Sequence, residues 1–497
     1  MRTKLTALVL TSLLILQATL PAAFGATGLV IRNARIIDGT GSAAFEGDVR
    51  VIDGRIAQLG KIKPKSDDEV IDASGLILAP GFIDIHNHSQ SGLPRNGAAG
   101  NQVSQGITTV VIGPDGGSPF PLQSYFAGLE GKIAVNVASF IGHATLREQV
   151  MKNGFDRKAT DAEIAEMQKL LEQAMREGAF GLSSGLEYDT GFSASTEELI
   201  ALSKVAAKYK GIYMTHMRDE EEGMLDALRE AIRIGREAHL PVQISHIKMG
   251  NRNVWGQSAE AIRLVDETRR SGFDITADAY PYTAWASTIT VLVPSRKHED
   301  RSEVEKGLNN VGGPDKVLVT SCSAHRDYEG KTLDQIAAAE KTTPVDIYIK
   351  IVKDGGASVV CNSMNEEDVK AFYMQSWVMV ASDGGIGSRH PRGTGTFTRV
   401  LGRFARENKW ITLEEAVRKM TSMPATRLGL KDRGTIKKGA AADLVLFDPN
   451  TVLDRATFAQ PLQFSEGIRT IFVNGVKVWD GAKTTGNMPG QILRHAK

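Results

Sequence analysis

The sequence predicts an α/β fold: a (β/α)8 TIM-like barrel carrying a small β-sandwich domain built from both chain ends. Two observations predict the barrel. Short apolar runs recur at 82–88, 107–113, 133–141, 179–187, 212–218, 241–247, 273–280 and 377–383. Helix-like stretches such as 161–177, 196–208 and 221–237 lie between many of them, and strands alternating with helices build parallel sheets. A third observation predicts the small domain. Both ends of the chain carry short β runs, and neither end is long enough to bury a good core alone.

Length and charge set the bounds. A chain of 497 residues with 42% hydrophobic content has more than one ordinary domain and a large core. Its 59 basic and 58 acidic residues nearly cancel, with no basic stripe, which excludes nucleic acid as a partner. Residues 1–26 read as a secretory signal. Arg2 and Lys4 supply the positive start, Leu5 to Leu20 is apolar, and Ala23 and Gly25 fit a cleavage site. The expected location is periplasmic or secreted, with no stable membrane insertion after cleavage, because no other segment is apolar enough to span. Cys322 and Cys361 are the only cysteines. Two free buried thiols are expected rather than a structural disulfide.

In chain order, 27–79 forms the first part of the small β domain. Leu29–Ile31, Asp48–Val51 and Arg55–Leu59 are strand-like, separated by turns such as Asp38-Gly39 and Asp53-Gly54. The barrel is expected over 80–430. The segment from about 285 to 376 is too long for one crossover and reads as an insertion or lid. Gly384, Gly385, Gly387, Gly393 and Gly395 make 384–395 a mobile loop by composition. The second part of the small domain covers 431–497, with β runs at Asp443–Phe447 and Ile471–Val478 and a hairpin turn at Asn474-Gly475.

The densest chemistry lies in Pro80-Gly81-Phe82-Ile83-Asp84-Ile85-His86-Asn87-His88. Alternation along a strand points Phe82, Asp84, His86 and His88 one way. Two imidazoles at the carboxyl end of a strand can share one metal ion. His216 in Thr-His-Met-Arg, His246 in Ser-His-Ile-Lys and Asp383 in Ala-Ser-Asp-Gly each follow another apolar run. In this architecture chemistry sits at the carboxyl ends of the strands. A divalent cation there lowers the pKa of water from ~15.7 to about 7 and polarises a carbonyl, and a neighbouring carboxylate can shuttle the proton. Histidine-rich ligation suits Zn2+, one or two per chain, with iron, manganese or cobalt as other divalent choices.

On these residues the chain resembles the amidohydrolase superfamily, in particular its D-aminoacylase (N-acyl-D-amino-acid deacylase) group. Pro80–His88, Gly185–Tyr188, Thr215–Arg218, Ser245–Lys248, Ser382–Gly384, His390–Gly393 and Gly439–Val445 carry the likeness. The resemblance implies a metal-dependent hydrolase barrel. His86 and His88 would bind the more buried metal and His216 and His246 the second, while Asp383 would be the catalytic base. The group supplies a bridging cysteine after the second strand, where this chain reads Pro114-Asp115-Gly116. A thiolate bridge from that position is therefore ruled out. Glu187 is the favoured bridging ligand, with Asp115 as a supporting residue or alternative ligand.

Substrate contacts are expected from Lys248, Arg389 and Arg392, which could meet a carboxylate. Tyr188 matches a family tyrosine near the scissile amide. Asp278, Tyr280 and Tyr282 would line the pocket, and His143 would stand at its rim. The implied substrate is a small-molecule N-acyl-D-amino acid, cleaved to a carboxylate and a D-amino acid. The alternatives are a dipeptidase, acting on dipeptides that include those with a carboxyl-terminal D-residue, and a cyclic-amide hydrolase. A non-catalytic binding relative is disfavoured because His86, His88, His216, His246 and Asp383 are all retained.

Overall fold

Eight short strands run parallel around one axis: Phe82–Asp84, Ile107–Ile112, Asn136–Ser139 continued by Ile141–Gly142, Gly181–Gly185, Ile212–His216, Val242–Ile244, Ile275–Ala279 and Val378–Val380. They pair in chain order in two arcs. The third strand joins the arcs on one side, its two halves each serving one arc. On the other side the first and eighth strands meet through their extensions. Asp383 N donates to His86 O (3.0 Å) and His88 N to Gly384 O (2.7 Å). The backbone that closes the barrel is thus the backbone that carries His86, His88 and Asp383. This computed structural model describes residues 28–495, and the signal segment read over 1–26 lies outside them. Among the described residues no helix is long and apolar enough to cross a membrane.

The barrel strands are buried along their length, as expected for parallel strands covered on both faces. The surrounding helices bury one stripe each. The helix Asp161–Arg176 starts at a Thr160/Glu163 capping box and buries Met167, Leu171, Ala174 and Met175.

The chain ends build one sheet of eight strands. Leu29–Ile36, Phe45–Ile52, Arg55–Gly60, Glu69–Asp72 and Ile77–Pro80 come from the front, and Leu444–Phe447, Ile468–Val473 and Val476–Trp479 from the back. Ile77–Pro80 and Leu444–Phe447 pair antiparallel and so join the two contributions. Gly81 then leads into the barrel; a Cβ there would lie 2.2 Å from Thr108 Oγ1, so only glycine fits. Asp443 clamps sheet to barrel. It is buried, pairs with Arg433, and accepts from Asn136 Nδ2 (3.0 Å) and Asn474 N (2.7 Å).

The segment after the seventh strand forms a lid. Trp285–Thr288, Ser358–Cys361 and Val317–Ser321 make an antiparallel sheet with Ser358–Cys361 in the middle. The helix Glu366–Tyr373, inside the expected insertion, instead precedes the eighth strand and buries Val369, Phe372 and Tyr373 in the barrel wall. Cys322 and Cys361 are both free and buried.

The glycine-rich run after Asp383 serves close packing. A Cβ on Gly384 would lie 2.5 Å from Gly393 Cα, and one on Gly385 would lie 2.7 Å from the His88 backbone. The expectation of a mobile loop drawn from glycine content is corrected accordingly: these glycines let three backbone segments touch.

Candidate metal centre

Five of the eight strand ends deliver one or two polar side chains to the same rim. His216 ends the fifth strand. His86 and His88, Asp115, His246 and Asp383 lie two to four residues beyond the first, second, sixth and eighth strands. Three of these residues have left-handed backbone: Asp115 (φ 53°), His246 (φ 33°) and Asp383 (φ 46°). Strain of roughly 1–3 kcal/mol per such residue persists only where the surrounding structure enforces it. Here it turns each chain at the rim.

The side chains converge. Asp115 Oδ2 lies 3.0 Å from His86 Nε2, 3.3 Å from His88 Nε2 and 3.5 Å from His246 Nε2. His216 Nδ1 lies 3.0 Å from His246 Nε2. Asp383 Oδ1 faces His88 Nε2 at 3.1 Å and His86 Nε2 at 3.4 Å. Three donor sets result, His86/His88/Asp115/Asp383, Asp115/His216/His246 and Glu187/His216/Glu220, each with its ligand atoms within 4.8 Å of one another. Asp115 belongs to the first two. Its second oxygen, Oδ1, is buried without a hydrogen-bond partner, which is costly unless a cation takes it. Donor chemistry and the orphaned oxygen both fit divalent metal.

Glu187, expected as the bridge, joins His216 and Glu220 in the third set. Its Oε2 accepts from His216 Nε2 at 2.7 Å, the ring nitrogen facing away from His246. That bond fixes the tautomer and leaves Nδ1 as the inward donor. The His86, His246 and His216 side chains are 0%, 2% and 5% exposed, and His88 is 34% exposed.

Glu220 escaped the sequence reading. It is 3% exposed, pairs with Lys248, and places Oε1 3.0 Å from His246 Nδ1 and Oε2 3.6 Å from His216 Nε2. It therefore backs both histidines of one set. It lies four residues after His216, in the loop beyond the fifth strand, where the strand-end pattern marks no residue.

The local fields are strong. Burial alone would raise Asp115, but the imidazoles of His86 and His246 hold it well below the usual carboxylate range. Burial acts likewise on Asp383, and Arg392 and His246 more than offset it. Both carboxylates are anionic. Arg392 Nη1 lies 2.7 Å from Asp383 Oδ2. Arg392 is held in turn by His390, whose Nδ1 accepts from Arg392 N (2.9 Å) while Nε2 donates to Ala284 O (3.0 Å). Burial and the nearby Arg392 keep His390 neutral, well below the usual histidine range.

Two connected chambers open from the centre. The inner one is lined by Tyr188, Lys248, Tyr280 and Arg392, with the Arg392 guanidinium 4.7 Å from the Tyr280 ring centroid. The outer one, about 620 Å³, lies beneath the lid sheet. Arg389 lines it, but its guanidinium is engaged by Thr320 O and Glu329, both at 2.7 Å.

Three expected pocket residues are placed elsewhere. His143 is buried in the barrel wall, bonded to Glu198 (2.8 Å), which also pairs with Arg147. Tyr282 packs behind His390, its ring edge-on at 5.3 Å, under the Arg399 guanidinium. Asp278 lies below the rim and accepts from His246 N (2.8 Å) and Gln243 Nε2 (2.7 Å).

A closed parallel barrel with histidines and carboxylates gathered at its carboxyl rim defines a metal-dependent hydrolase. The chain belongs to the amidohydrolase family, whose profile matches residues 69–346 and 374–478. It is 36% identical to a D-aminoacylase of Alcaligenes xylosoxydans xylosoxydans over 94% of this chain and 97% of that protein. A D-aminoacylase crystal structure superposes with a TM-score of 0.86 at 36% identity, covering 94% of this chain and 99% of that one. An N-acyl-D-glutamate deacylase from Bordetella bronchiseptica, solved with zinc and a phosphonate inhibitor, superposes equally well (TM-score 0.86, 35% identity, 94% and 99% covered).

Proposed function

We propose that this protein hydrolyses the amide bond of N-acyl-D-amino acids, giving a carboxylate and a D-amino acid. The observation that carries the reading is Asp115 standing between two histidine sets, with Asp383 beside one of them. The D configuration and the acyl-amino-acid class are supported by the relatives, which share the fold over nearly the whole chain.

His86, His88 and Asp383 would hold one Zn2+ and His216 and His246 a second, with Asp115 rather than Glu187 between them. When bound, the cation acidifies water and polarises the scissile carbonyl. The chain's own residues supply the rest. Asp383 takes the proton of the attacking water as the new C–O bond forms at the carbonyl carbon. It then returns that proton to the amine nitrogen as the C–N bond breaks. Arg392 fixes Asp383 through Oδ2, so Oδ1 faces the reacting atoms. Tyr188 Oη, 3.1 Å from His216 Nδ1, is placed to donate to the oxyanion. Lys248 and Arg392 line the inner chamber, each already paired with a carboxylate, Glu220 and Asp383, and would meet a substrate α-carboxylate through their remaining N–H groups.

The amino-terminal signal segment supports a periplasmic or secreted location. The test of function is direct. The purified protein, analysed for metal content, is assayed against paired N-acetyl-D- and N-acetyl-L-amino acids. Turnover confined to the D series supports the reading, and turnover confined to the L series or to cyclic amides overturns it.

A further inference from the structure

The barrel carries another cavity at the end opposite the metal centre. It measures about 560 Å³, within the ~300–1,000 Å³ range of small-molecule sites. Ile212, which begins the strand that His216 ends, lies on its wall, as do Thr276 and Met379 of the seventh and eighth strands. A strand of that length sets the cavity about 13 Å from the ligand rim. The helix Ser422–Arg427 lines it too, with Ala425 in the same apolar core as Ile212 and Met379. Chemistry in such barrels sits at the carboxyl face, so a cavity at the amino face has no part in the reaction.

Its charges do not balance. Lys210, Arg269, Arg418 and Arg427 line it, against the single carboxylate of Asp274. Glu415 engages Arg418 at 2.7 Å, which leaves three cations to one anion. The Arg427 side chain is only 4% exposed. It meets Asp274 at 3.1 Å, but the Asp274 side chain is 65% exposed, so water weakens the pair. The other bonds of Arg427 go to neutral oxygens, Thr276 Oγ1 (2.7 Å) and Val242 O (3.0 Å). Arg269 donates to Ile275 O and has no carboxylate within ion-pair distance among the described residues. Lys210 Nζ has no partner among them. Burial pulls the Arg427 guanidinium below its usual range, Asp274 opposes the pull, and Arg269 adds to it. Two neighbouring guanidinium groups thus share one mostly exposed carboxylate, an arrangement that a further anion relieves.

The rest of the wall suits an organic molecule. Pro241, Trp377, Met423 and Leu428 give it an apolar side, and Thr40 and Ser376 bring hydroxyls. We propose that this cavity binds a small organic anion, with a doubly charged phosphate or dicarboxylate head on Arg269, Arg427 and Lys210 and an apolar body against Trp377 and Met423. Guanidinium forks match either head group. An occupant would tie together the segments that begin the fifth and seventh strands and the helix Ser422–Arg427, and so stabilise the folded barrel.

This site is independent of the deacylase reading, because its test needs no turnover. Phenyl phosphate, phthalate, inorganic phosphate and neutral benzyl alcohol are titrated into the metal-loaded full-length protein at constant ionic strength. Calorimetry and thermal unfolding follow binding, and a crystal structure with the tightest probe locates it. The expected result is one phenyl phosphate or phthalate per chain in this cavity, a raised Tm, and weaker binding of inorganic phosphate and benzyl alcohol. The tighter of the two aromatic probes identifies the head group. Lys210 is exposed with left-handed backbone (φ 57°), which asparagine also adopts, so Lys210→Asn leaves the fold intact. It should weaken binding about threefold, and Lys210→Asn with Arg269→Met at least tenfold, with kcat/KM in the absence of anion unchanged. Binding at the metal centre alone, equal affinity in the variants, or benzyl alcohol binding as tightly as the anions overturns the site.

Discussion

Arg392 Nη1 lies 2.7 Å from Asp383 Oδ2, while the other oxygen of that carboxylate faces His88 Nε2 at 3.1 Å. One residue thereby meets a fixed cation on one side and the metal-ligand set on the other. Asp383→Asn keeps the shape and removes the proton acceptor. The expected loss in kcat is roughly 10²–10⁴-fold, with metal content retained. Stopped or steady-state kinetics beside elemental analysis will check it, and an active Asp383→Asn would remove the base assignment.

Asp115 and Glu187 divide the carboxylate roles unequally. Asp115→Ala is expected to lower metal occupancy at the first two donor sets, because its carboxylate belongs to both. Glu187→Gln is expected to keep both sites and weaken metal retention modestly, since its contact is with the outer nitrogen of His216. Metal stoichiometry after graded chelator dialysis distinguishes them. The reverse ranking would restore Glu187 as the bridge.

Glu220 backs His246 and His216 and pairs with Lys248. Glu220→Gln should weaken metal binding roughly 10–100-fold, the usual cost of losing a carboxylate behind ligating histidines. It should also raise KM, because Lys248 loses its positioning partner. Chelator competition measures the first effect and steady-state kinetics the second. Unchanged metal affinity would reduce Glu220 to a counter-ion for Lys248.

Lys419 supplies a pH dependence remote from the centre. Burial pushes its ammonium down to about 8 from an ordinary 10.5, only partly opposed by Glu415. Below pH 8 both folded and unfolded chains hold the proton. Between about 8 and 10.5 the unfolded chain holds a proton that the folded one has released, so stability rises with pH across that window. Lys419→Met should lack this rise. Urea midpoints of both proteins at intervals across the window will show it as a widening difference in favour of the lysine form as pH increases.

The barrel was legible because parallel strands buried on both faces read as apolar runs, and each run was followed by its polar residue. His86, His88, His216, His246 and Asp383 could be gathered from that pattern alone. The choice between Glu187 and Asp115 was not legible, because it depends on which ring nitrogen of His216 faces which carboxylate, and no sequence spacing encodes a rotamer. Glu220 and the roles of His143 and Tyr282 were hidden for a related reason. A polar residue near a strand end turns toward the mouth or into the wall according to tertiary partners such as Glu198 and Arg399. Glycine content after Asp383 suggested freedom, whereas touching backbones were the cause.

The antiparallel pairing of Ile77–Pro80 with Leu444–Phe447 sets an order on biosynthesis. The strand that introduces the first histidines emerges early and waits, its neighbour missing, until nearly the entire polypeptide has been translated. Premature termination anywhere before the last sheet strands would leave that edge bare and sticky. The sheet edge beside Ile77–Pro80 is therefore completed only when residues 444–447 are in place.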